Sequence, residues 1–68
     1  MRGVVQSFDP EKGIGIICGQ DGARYPVTLA DVQRLEPLAT GEAVYFSVRF
    51  VKKHPFATNV GKLKARPD

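Results

Sequence analysis

One cysteine and one histidine are all that this 68-residue chain offers to redox or metal chemistry. Cys18 has no partner for an internal disulfide, and together with His54 it falls short of any zinc set, so neither metal nor cofactor is expected. Catalysis is disfavoured on the same ground, because these two residues and scattered acids do not make a nucleophile, a base and an orienting group. Gly13, Gly15 and Gly19 also miss the spacing of a dinucleotide fingerprint. The chain is therefore expected not to be an enzyme. No apolar run approaches the roughly 18 residues of a membrane span. Met1 to Gln6 lacks the apolar core of a signal peptide, and a cytoplasmic location is the expectation.

What is present is ordinary globular composition, 43% hydrophobic and 25% charged, in a length that suits one domain with a small core. That domain is expected over residues 1–64, with a frayed tail at 65–68. The net charge of +3 is unevenly spread. Residues 1–48 carry four basic side chains against six acidic ones, a net of −2, whereas residues 49–68 carry six against one, a net of +5. Such a concentration suits a polyanionic partner; a solvated basic edge that deters aggregation is the plainer alternative.

Alternation of apolar and polar residues predicts five short strands. The first runs from Val4 to about Phe8, and Asp9-Pro10-Glu11-Lys12-Gly13 supplies a turn in which Asp accepts local backbone bonds and Gly takes positive φ. A second strand covers Gly13 to Cys18. Asp21-Gly22 suits a primed hairpin turn into a third strand over Arg24 to Leu29, where Pro26 requires an edge or an outward amide position. Thr28 and Asp31 have the spacing of a helix start, predicting at most two helical turns carrying Val32 and Leu35. Val44, Phe46 and Val48 alternate with Tyr45, Ser47 and Arg49 in a fourth strand. Lys52-Lys53-His54-Pro55 is expected to be a polar loop, and Phe56 to Leu63 a fifth strand with a bulge or turn at Asn59 or Gly61. A meander, a linker and a hairpin of this kind predict an all-β protein, a small five-stranded antiparallel Greek-key barrel of the oligonucleotide-binding (OB) fold. An SH3-like barrel is the alternative. Val5, Ile17, Val27, Val44, Phe46, Val48 and Val60 are expected to point inward.

Three stretches carry a resemblance. Phe8-Asp9-Pro10-Glu11-Lys12-Gly13 is similar to Phe-Asn-x-x-Lys-Gly of the cold-shock domain family, Asp21-Gly22 to its hairpin turn, and Pro55-Phe56-Ala57-Thr58-Asn59-Val60 to its Pro-x-Ala-x-Asn-Val ending. The chain resembles that family from Met1 to about Leu63. The resemblance implies binding of single-stranded RNA or DNA on an exposed aromatic face with little sequence preference. This chain departs from that face. Ser7 stands at the family's first-strand tryptophan, Ile14 and Ile16 at its second-strand phenylalanines, and Pro26, Thr28 and Leu29 at its third-strand aromatic set.

Two partner classes follow. For weak binding of single-stranded nucleic acid, the expected site is Phe8 and Phe56 as stacking platforms with Lys12, Lys52, Lys53 and His54 around them. The rival expectation is a protein partner or a homodimer. Ile14 and Ile16 share the outward parity if Ile17 packs inward, and with Leu29, Pro26 and Phe56 they would form an apolar patch.

Overall fold

The computed structural model describes residues 1–63; the expected frayed tail at 65–68 lies outside them. Five strands form: β1 (Arg2–Asp9), β2 (Ile14–Gly19), β3 (Arg24–Thr28), β4 (Ala43–Val51) and β5 (His54–Lys62). All ladders are antiparallel and the strand order is β3-β2-β1-β4-β5. Pro26 thus sits on an edge strand, where its missing N–H leaves no ladder bond unmade. No ladder joins β3 to β5 among the described residues, so the sheet is open there. Its two edges nonetheless lie together: Val32 forms an isolated parallel bridge with Val60, and the Asp31 carboxylate accepts hydroxyl hydrogen bonds from Thr28 and Thr58, each 3.2 Å. Among the described residues no helix is long and apolar enough to cross a membrane.

Six of the seven residues expected inward are buried, namely Val5, Ile17, Val27, Val44, Phe46 and Val60, while Val48 is half-buried against them. Tyr25, Val32, Leu38 and Ala57 complete the core. Tyr25 meets Phe46 ring to ring at 5.3 Å, tilted by 55°, an arrangement aromatic quadrupoles favour. Its hydroxyl donates to the Asp21 carboxylate at 2.6 Å. That hydrogen bond, with a second from the Ala23 N–H, holds the Asp21 carboxyl below its usual range, and the same bond with burial pushes the Tyr25 phenol up.

Two bulges decide which side chains face which way. Val5 pairs with Ile17 and Ser7 with Ile16, so Gln6 is an extra residue in β1. Without it Phe8 would continue the outward parity; with it Phe8 pairs with Gly15 on the inner face and packs on the core, while Ser7 turns out. In β5, Tyr45 pairs with Gly61 but Ser47 with Thr58. The extra residue lies at Asn59–Val60, where Asn59 takes a left-handed φ of 52°, and asparagine tolerates that region better than most residues.

Local geometry bears out one turn and corrects three other expectations. At the β1–β2 turn the reading holds: Asp9 accepts from the Glu11 and Lys12 N–H groups at 3.0 and 3.3 Å, and Gly13 takes φ 69°. At the β2–β3 turn neither Gln20 nor Asp21 has positive φ, so this is not a primed turn; the Gly22 N–H donates to Gly19 O at 2.9 Å and Asp21 accepts from Ala23. The helical segment is two single 3₁₀ turns, Leu29–Asp31 and Gln33–Leu35, split by an extended Val32. The Thr28 hydroxyl bonds the Asp31 side chain instead of a backbone amide, so the helix start has no cap. Finally, His54 and Pro55 are not loop residues. They pair with Val51 and Phe50, leaving a two-residue turn of Lys52 and Lys53 at φ 51° and 72°, the sign pattern that a type I′ hairpin turn demands.

Candidate nucleic-acid interface

Register places the outward residues of β1, β2 and β3 side by side. Ser7 lies opposite Ile16, Ile16 opposite Pro26, and Ile14 opposite Thr28, and directly opposed residues share a face. Over this face lies a groove of about 460 Å³. Ile14, Ile16 and Pro26 line it, Phe8 and Val27 contribute from the inner parity, and Phe56 closes it from β5 across the open seam. Gly15 is its floor: the Phe8 side chain lies so close that a Cβ at Gly15 would come within 2.6 Å of Phe8 Cδ1.

The groove therefore joins the two expected sets, which already shared Phe56. Phe8 and Phe56, expected to stack on bases, and Ile14 and Ile16, expected to make a protein interface, line the same hollow. Leu29 does not join them. It packs against the core, and its N–H donates to Gly13 O at 2.8 Å, closing the strand ends behind the β1–β2 turn. Ser7, Asp9 and Thr28 are its polar lining residues; the Asp9 carboxylate accepts from the Glu11 and Lys12 N–H groups, and the Thr28 hydroxyl donates to Asp31. Asp9 went unnoticed as a site residue because its turn-forming role accounts for it in the sequence.

The basic residues stand outside the groove. Lys12 is exposed on the β1–β2 turn, Lys52 and Lys53 form the tip of the β4–β5 hairpin, and His54 is exposed at the start of β5. Arg49, which the sequence reading left out, lies directly opposite Phe56, and Val51 opposite His54. Arg49, His54 and Phe56 therefore share one face of the hairpin. The outward parity of Arg49 was visible in the Val44 to Arg49 alternation; its neighbour across the strand was not. Lys62 is otherwise engaged, at 3.7 Å from Glu36 and 3.8 Å from Glu42. It borders a second hollow of about 390 Å³ that also includes Arg34, Glu36, Glu42 and Tyr45. Mixed charge there gives a phosphate chain little to hold.

Neither the protein-family models nor the curated proteins contain a match to this chain. The candidate site rests on its own geometry.

Proposed function

We propose that this chain is a cytoplasmic, non-enzymatic, cold-shock-like module that binds single-stranded RNA or DNA weakly and with little sequence preference. The observation that carries the reading is the placement of Phe56: it lines the groove shared with Phe8 and stands opposite Arg49 on the hairpin that bears Lys52 and Lys53. A ring offers a π-face to any base, and cations beside it hold the phosphates, which is how non-specific single-strand binders work. A Greek-key OB barrel is the fold we assign, supported by the strand order and by the Val32–Val60 bridge and Asp31 hydroxyl bonds at the β3–β5 seam. Six aliphatic or polar residues, Ser7, Ile14, Ile16, Pro26, Thr28 and Leu29, stand where the resemblance places rings, and this is why the binding is weak.

Phe56→Ala tests it. Fluorescence anisotropy with a labelled single-stranded oligonucleotide at low salt should show affinity falling by about 1–3 kcal/mol, roughly fivefold to 150-fold. Affinity of the unaltered protein should itself fall steeply as salt is added. Absence of binding at low salt removes the reading.

One observation favours a second reading, self-association. Ile14 is 50% exposed beside a groove that is mostly apolar, and aliphatic side chains gain about 25 cal/mol per Å² on burial without offering a flat face to a base. Under this reading the partner is a second copy of the chain, held more firmly at high salt. Sedimentation of the wild type would then show a dimer that Ile16→Lys converts to monomer. A monomer in both at high concentration rules it out.

A further inference from the structure

We infer that the Lys52-Lys53 turn is a phosphate grip kept in a strained conformation for its charge, with Arg49 as its third cation. The inference rests on the single-strand reading and names the part of the molecule that holds the backbone of the strand.

Both lysines have positive φ, 51° and 72°. Two-residue turns of this sign favour Asn-Gly or Asp-Gly, because a residue with a Cβ is strained there and glycine or asparagine is much less so. Every other hairpin-like connection in the chain follows that preference, with Gly13 and Gly22 at the left-handed positions of the β1–β2 and β2–β3 turns. Only at this tip do two long cationic residues occupy them. A tight turn gains nothing local from lysine. What lysine adds is charge at the point of the hairpin farthest from the acids of the linker, and among the described residues neither lysine nor Arg49 lies within ion-pair distance of a carboxylate, whereas Lys62 does. Arg49 extends the charge inward along the strand to Phe56. A strand with one base in the groove against Phe56 would pass its phosphates along Arg49 towards the tip. Asp9, an acidic residue among those lining the groove, disfavours phosphates beside it.

Solvation of the hairpin tip is the plain alternative for these lysines, but it would be served as well by Asn-Gly. The decisive variant follows from that. Lys52→Asn/Lys53→Gly replaces both residues by the pair the turn prefers, so it should fold, with Tm raised by roughly 5 °C. Binding of a labelled single-stranded oligonucleotide should move the other way. Each phosphate contact contributes about 0.7 to the slope of log affinity against log salt, so losing two should flatten the slope by about 1.4 and weaken binding at low salt by about tenfold or more. Arg49→Gln, which leaves the turn untouched, should flatten it by about 0.7. Wild-type binding with an unchanged slope in both variants overturns the inference and leaves the single-strand reading intact. An unchanged or lowered Tm in the double variant overturns the claim of strain. Absence of wild-type binding overturns both the inference and the reading beneath it.

Discussion

Gly15→Ala is expected to cost about 3 kcal/mol, near the whole stability of a domain this small. A Cβ at Gly15 would stand 2.5 Å from Ser7 O, 2.6 Å from Phe8 Cδ1 and 3.0 Å from Phe8 Cα. Two of these atoms belong to the backbone of β1 where it is laddered to β2 just past the Gln6 bulge, so rotating a side chain cannot relieve the contact. Either β1 and β2 part or Phe8 leaves the core, and both outcomes spoil the groove. Urea unfolding should show the loss directly. A midpoint equal to that of the wild type would mean that Phe8 is not seated on Gly15.

Two isoleucines of β2 should behave oppositely. Ile17 is fully buried between Val5 and Tyr25, its ladder partners, while Ile14, three residues earlier, is half exposed. Ile17→Ala removes a core side chain and should cost about 2–5 kcal/mol, enough to unfold much of the population. Ile14→Lys should change stability by about 0.5 kcal/mol or less, as surface substitutions do. Thermal melts of the two variants decide the parity of β2. Equal losses would mean that both isoleucines are packed, and the groove would not be open to any ligand.

Much of this arrangement was legible because period-two alternation is a strong signal. Val44, Phe46 and Val48 against Tyr45, Ser47 and Arg49 oriented β4, and the Asp9-Pro10 turn announced its own backbone bonds. Where a bulge resets parity the signal fails. Gln6 carries no mark that it is unpaired, yet it turns Phe8 onto the core and Ser7 outward. The linker was equally opaque: Val32 and Leu38 are core residues in a segment without periodicity, so nothing local identifies them. Lys52-Lys53 hid a tight hairpin because turn rules look for glycine or asparagine, and the long β4–β5 ladder imposes the geometry on residues that would not choose it. For the site, the sequence supplied Phe8 for stacking, Ile14 and Ile16 for a protein interface, and Phe56 for both. Their meeting in one groove depends on the approach of β5 to β3, a contact between residues 54–62 and 24–28 that no pattern along the chain encodes.

Amide chemical-shift mapping during titration with a single-stranded oligonucleotide at low salt tests the central claim most directly, because it reports both binding and place. The account predicts the largest shifts at Phe8, Ile14, Ile16, Arg49 and Phe56 and at the Lys52-Lys53 tip, fading as salt is added. Shifts centred instead on the hollow around Arg34, Tyr45 and Lys62, or no shifts at any ratio of oligonucleotide to protein, would contradict it.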